Sequence, residues 1–135
     1  MIHRTRPRRR RRGAVLVEST FAYVVILLLT LGTIVMGLGV FRYQELAWLA
    51  REGSQWAAVH GPTYQREQGA AAPTGGDVLT NAIAPRMVML SPSALTCTLT
   101  MTNGTATVSL SYAWTPEAYF SPVTLRSTSA SMITY

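Results

Sequence analysis

From Ala14 to Phe41 the chain runs 28 residues with one charge, Glu18. Apolar side chains fall on every side of a 3.6-residue period, which predicts a helix that is apolar all round. At 1.5 Å per residue it is about 42 Å long, against a hydrocarbon core of about 30 Å. Residues 14–41 therefore read as the transmembrane half of a helix. From Arg42 to Val59 there is no proline, and Leu46, Leu49/Ala50, Gly53 and Trp56/Ala57 recur every three to four residues, the mark of one apolar stripe. Arg42 and Glu45 sit three apart, as neighbours on a helix surface. The pattern stops at His60-Gly61-Pro62. One helix over about 14–59, roughly 69 Å long, is expected. Its change from all-round apolar to amphipathic marks the passage from lipid to a folded head.

After the stop the chain reads as loop over 60–76, with Thr63–Gly76 rich in Gly, Ala, Pro and Thr and without periodicity. Asp77 is placed to cap a short helix over 77–84, which Pro85 ends or kinks. From Ala94 the period becomes two. Leu95, Cys97, Leu99 and Met101 face one way; Thr96, Thr98, Thr100 and Thr102 face the other. Asn103-Gly104 is a strong hairpin signal, and the next strand carries Ala106, Val108, Leu110, Tyr112 and Trp114 on one face. A two-residue turn sets 101 opposite 106, 99 opposite 108, 97 opposite 110 and 95 opposite 112, which brings both apolar faces to one side. Thr115-Pro116 and Ser121-Pro122 bracket a turn. In the third strand Val123 and Leu125 have one parity and Ala130 and Met132 the other, so a bulge near Ser127–Ser129 is expected. Strands at about 94–102, 105–114 and 123–133 thus form a small antiparallel sheet under the outer half of the helix, an α+β arrangement with a threonine/serine face toward solvent. Three strands on a helix can be stable where one hairpin is not.

At 135 residues the chain is read as one small unit. Its net charge of +6 is not a global property. Residues 1–13 hold seven of the twelve arginines and no acid, while the rest holds five arginines against six carboxylates, a net −1. A basic pI usually suggests nucleic acid. A terminal block, Arg8, Arg9, Arg10, Arg11 and Arg12, beside a hydrophobic span has a simpler reading: it holds the N-terminus in the cytoplasm. The span is too long for the apolar core of a cleaved signal peptide, about 7–15 residues, and Arg11-Arg12 lacks the flanks of a twin-arginine signal, so the span is expected to stay in the mature protein.

The junction Arg8–Gly13, Ala14, then Glu18 five residues past the glycine inside an apolar helix, resembles the class III signal of type IV pilins and pseudopilins. The run Ala50, Arg51, Glu52, Gly53, followed by Ala57-Ala58, is similar to the helix continuation of TadE-like proteins, minor pseudopilins of the Tad (tight adherence, Flp) pilus system. The resemblance covers most of the chain. It implies a pilin-like fold, and cleavage between Gly13 and Ala14 by a prepilin peptidase on the cytoplasmic face. It also implies partnership with other pilin or pseudopilin subunits and with the inner-membrane assembly machinery. Ser19 stands where Flp-type pilins often carry Tyr, Ala14 where many pilins begin with an aromatic residue or Met, and the chain is longer than a typical major Flp pilin. These departures point to a minor subunit.

A lone acid at the centre of a membrane span costs roughly 2.5–3.5 kcal/mol, less near an end, and the positive end of the helix dipole returns about 0.3–1 kcal/mol. In a filament a neighbour's α-amine could pair with Glu18 and fix the axial stagger, as a buried polar group can fix register. The alternative is that Glu18 reaches the interface beside the arginines. Cys97 is the single cysteine, so no disulfide within the chain is possible; on the inward sheet face it reads as a small buried hydrophobe. His3 and His60 are isolated, leaving no plausible metal set, and neither a cofactor site nor a nucleophile–base constellation for catalysis is visible. Asn103-Gly104-Thr105 matches a glycosylation acceptor, but the tight turn explains it. Thr33 and Gly37 form a small-xxx-small pair that could let helices approach; Gly32, Gly37 and Gly39 could equally be tolerated by lipid. Trp48, Trp56, Tyr112, Trp114, Met87, Met89 and Met101 read as head core.

The expected function is that of a minor pseudopilin in the bacterial inner membrane, single-pass, with its N-terminus in the cytoplasm, serving pilus biogenesis, adhesion or secretion. The alternative is an uncleaved single-pass anchor with an extracytoplasmic interaction domain, whose arginines hold anionic lipid at about 1 kcal/mol each. A basic tail on nucleic acid is the third reading, and would show steep salt dependence.

Overall fold

A computed structural model describes residues 12–116 and 121–134. The chain divides into two compact units, residues 1–36 and 37–135, rather than the one unit its length suggests. The reason is that the apolar helix residues bury nothing: Leu16, Phe21, Leu29 and Ile34 are all more than half exposed. Helix α1, Arg12–Val59, contributes its first part to one unit and its last part to the other.

In the first unit Ser19 and Thr20 donate to the Leu16 carbonyl, and Thr30 and Thr33 to those of Ile26 and Leu29, at 2.8–3.0 Å. These four hydroxyls are thus satisfied inside their own helix, as an apolar surround requires. By length and composition this helix can cross a membrane.

In the second unit the end of α1 packs on a sheet of order β1-β2-β3: Leu95–Thr102, Thr105–Trp114 and Val123–Met132. The expected stripe is the buried one, with Leu46, Leu49, Ala50, Gly53 and Ala57 closed off from solvent. The hairpin register is also as expected: Met101 faces Ala106, Leu99 Val108, Cys97 Leu110 and Leu95 Tyr112. Asn103 and Gly104 turn the chain with φ of 52° and 75°, the doubly positive pair that a tight hairpin needs.

Four expectations are corrected. The loop over 60–76 contains a second helix, α2, Pro62–Gln68. The long helix does stop at Val59, just before His60-Gly61-Pro62, and Pro62 also occupies the first turn of α2, where its missing N–H costs no bond, while Gly69 closes α2 at φ 62°. The helix expected over 77–84 begins earlier, with α3 spanning Gly75–Val78, and its cap is Thr74. Asp77 instead takes the third position of a capping box, accepting from the Thr74 amide at 2.8 Å. A π-helical turn, Leu79–Ile83, and a 3-10 turn, Ala84–Arg86, continue it, and Pro85 lies inside the latter. Gly75 was hidden in an apparent loop, yet it is where α3 meets β1: a Cβ there would stand 2.5 Å from the Cys97 carbonyl oxygen.

The third correction is the bulge. β3 pairs with β2 without interruption from Thr105–Met132 to Trp114–Val123. Val123, Leu125, Ser127, Ser129 and Ser131 therefore share the helix side, while Ala130 and Met132 face out, Met132 at 80% exposure. The parity conflict resolves because the inward positions near α1 are small and polar. Ser54, fully buried on α1, lies 3.1 Å from the Ser129 hydroxyl and 3.0 Å from that of Ser131, and donates to the Arg51 carbonyl at 2.9 Å. Ser54→Ala leaves this seam short of a partner, so a loss of about 1–3 kcal/mol is expected. Thermal melting checks it; an unchanged midpoint would show that the seam does not contribute.

The fourth concerns the core. Tyr112 and Trp114 are buried, but Trp48 is 49% and Met89 42% exposed, with Trp56, Met87 and Met101 intermediate. Trp114 lies on Gly39, where a Cβ would come within 2.8 Å of its ring, and the Arg42 guanidinium stands 5.0 Å over it, within cation–π range. Gly39 thus serves close packing, whereas Gly32 and Gly37 face open space.

Candidate functional site

The proposed processing junction lies at the start of α1. Arg8, Arg9, Arg10 and Arg11 fall outside the described residues, and Arg12 begins the helix. Gly13, Ala14 and Glu18 are exposed, and nothing stands within 4 Å of where a Gly13 Cβ would be. Glu18 sits in the second turn with Val15, Leu16, Val17 and Phe21 exposed around it. The surface offered here over residues 13–41 is mostly apolar and carries one charge, the Glu18 carboxylate.

The run Ala50–Gly53 has a definite place in the head. Ala50 is fully buried, and a Gly53 Cβ would stand 3.0 Å from Val78, 3.4 Å from Ile83 and 3.4 Å from Val108. Gly53 is thus where α1, the α3–π segment and β2 meet. Arg51 is exposed, whereas Glu52 pairs with Arg86 at 3.0 Å, a partly exposed bridge worth about 1 kcal/mol or less. Two turns earlier, Glu45 accepts from the amides of Val88 and Met89 at 2.7 and 3.1 Å. Two acids on one helix edge therefore pin the connection between the 3-10 turn and β1.

No family model, curated protein or solved structure matches this chain.

Two further groups bear on chemistry. Cys97 is half-buried, and that desolvation pushes its thiol up to about 11 from an ordinary 9.0. The neutral thiol is the favoured folded form, so its contribution to stability is intact below pH 9 and is lost as pH rises from 9 toward 11. Because the thiolate is the nucleophile, iodoacetamide at pH 8 is expected to label Cys97 slowly in the folded protein and rapidly in denaturant. Equal rates would place the thiol in water.

His60 is not isolated. Its ring stacks on Trp56 at 3.9 Å and meets Tyr64 edge-on at 4.6 Å, and its Nδ1 lies 2.8 Å from the Trp56 carbonyl oxygen. With Asp77 and Asn81 these rings line a cleft. The signal was present in the sequence as a spacing of four, Trp56, His60 and Tyr64, but the Gly61-Pro62 break appeared to separate Tyr64 from the other two. Among the described residues no cluster of three or more His, Cys, Asp or Glu is placed to hold a metal.

Proposed function

We propose that this chain is a minor, TadE-like pseudopilin of a Tad-type pilus, anchored in the bacterial inner membrane with its head outside. The observation that carries the reading is the helix start: an apolar surface open all round, with one carboxylate five residues past Gly13. A prepilin peptidase hydrolyses the Gly13–Ala14 amide. Water adds to the carbonyl carbon, the C–N bond breaks, the leader departs with a carboxylate and Ala14 keeps an α-ammonium. Removal of seven arginines lifts the charge that would oppose drawing the helix out of lipid. The freed helix then packs among other pilin and pseudopilin helices, where Glu18 accepts from a neighbour's α-ammonium and sets the stagger. The role is structural, in pilus biogenesis, adhesion or secretion, and calls for no cofactor and no nucleic acid.

N-terminal sequencing and intact mass of the protein from its native membrane fraction test this. A start at Ala14 supports processing; a start at Met1 or Ile2 overturns it and leaves an uncleaved anchor. Glu18→Ala is expected to be cleaved normally yet to enter filaments poorly, because the acid acts after processing. Immunoblots of sheared pili against whole cells measure this, and wild-type incorporation would remove the pairing role.

A further inference from the structure

Where α1 ends, the rings of Trp56, His60 and Tyr64 form one wall of a cleft of about 490 Å³, with Asp77 and Asn81 and the stretch Ala70–Pro73 completing it. The rings are held in place. Trp56 and His60 are 20° from parallel, His60 is tied by Nδ1 to the Trp56 carbonyl oxygen, and the Gln65 amide reaches the His60 carbonyl at 3.4 Å. The carboxylate is held as well: Asp77 Oδ2 accepts from the Thr74 amide at 2.8 Å and its hydroxyl at 2.7 Å. Those bonds hold the Asp77 carboxyl below its ordinary value, so it is an anion at neutral pH. Its Oδ1 has no hydrogen-bond partner among the described residues. Asn81 donates to the Asp77 carbonyl at 2.9 Å, which leaves its amide oxygen as an acceptor. Among the described residues no arginine lines the cleft.

We propose that this cleft binds a guanidinium cation. An aromatic wall attracts a cation through the ring quadrupole, and a guanidinium adds a flat body that stacks and a fork of donors that fits carboxylate oxygens. Two free acceptors, Asp77 Oδ1 and the Asn81 amide oxygen, stand opposite the rings, which suits a ligand made only of donors. Two sources carry this chemistry: a small free molecule, and an arginine side chain presented by another polypeptide. The inference rests on the head alone and does not depend on the pilus reading.

The test uses the full-length protein in detergent micelles and ligand-observed saturation-transfer NMR. Its probes are agmatine, a blocked Gly-Arg-Gly peptide, and citrulline amide, in which a neutral urea replaces the guanidinium. A saturable signal is expected from agmatine and none from citrulline amide. Tyr64→Ala and Asp77→Asn are each expected to weaken agmatine at least about tenfold, or roughly 1.4 kcal/mol, while Trp48→Phe, remote from the cleft, leaves it unchanged. If loss of the capping box unfolds Asp77→Asn, Tyr64→Ala alone decides. A peptide signal equal to that of agmatine identifies a presented arginine as the source; agmatine alone identifies a small molecule. Equal binding of citrulline amide, no saturable agmatine signal, or full agmatine affinity in Tyr64→Ala overturns the proposal.

Discussion

Gly13→Arg is expected to abolish processing and leave the full-length chain in the membrane with its arginine leader attached. The substitution costs the helix nothing. A Cβ at Gly13 meets no atom within 4 Å, and Arg is a better helix former than Gly by up to about 1 kcal/mol. Loss of cleavage would therefore reflect what the peptidase admits beside the scissile bond, where a residue with no side chain lets an enzyme approach the backbone. Intact mass of the membrane fraction reads the outcome: the variant is expected to retain residues 1–13 and the parent to lack them. A mature mass in Gly13→Arg would sink the assignment of this glycine as the processing site.

Gly53→Leu is expected to destabilise the head strongly while leaving the span unaffected. The Cβ alone would stand 3.0 Å from Val78 and 3.4 Å from Ile83 and Val108, and three further carbons would have to enter a buried position. Overpacking typically costs 1–3 kcal/mol; a junction of three elements, none of which can move without breaking its own pairing, belongs at the upper end, about 3 kcal/mol. For a domain of this size that is a fall in Tm of roughly 12 °C or more. Circular dichroism melts of the sheet signal measure it. Adding Val78→Ala should recover part of the loss, because the two side chains compete for one volume and their effects do not add. If Gly53→Leu melts with the parent, the three elements are not packed as described.

Different parts of this molecule were legible to different degrees, for reasons that lie in particular residues. The helix and the first hairpin were readable because each uses a single strong periodicity. Leu46, Leu49, Ala50, Gly53 and Ala57 repeat at helical spacing, and Leu95–Met101 and Ala106–Trp114 alternate around an Asn-Gly turn. β3 was misread because its inward residues are serines. A pattern of apolar positions cannot find a face whose partner, Ser54, is itself polar, so Ala130 and Met132 suggested a bulge that the continuous pairing excludes. Gly75, Gly76 and Pro62 punctuate the sequence and also begin helices, since glycine and proline report backbone permission and not direction. The stretch Ala50–Gly53 was noticed for its likeness to a family, and its physical role, a close three-element junction with Glu52 paired to Arg86, came only with the fold.

The long apolar helix, the place of its lone carboxylate relative to Gly13 and the arginines, and the register of β1 with β2 can all be read along the chain. Each of these is set by neighbours in the chain or by spacing along one element. The phase of β3, the exposure of Trp48, the closeness of Gly53 to Val78 and the gathering of Trp56, His60, Tyr64 and Asp77 around one cleft emerge from the folded head. Those depend on contacts between residues far apart in sequence, where the partner's size and polarity, not the local pattern, sets which side chain is buried.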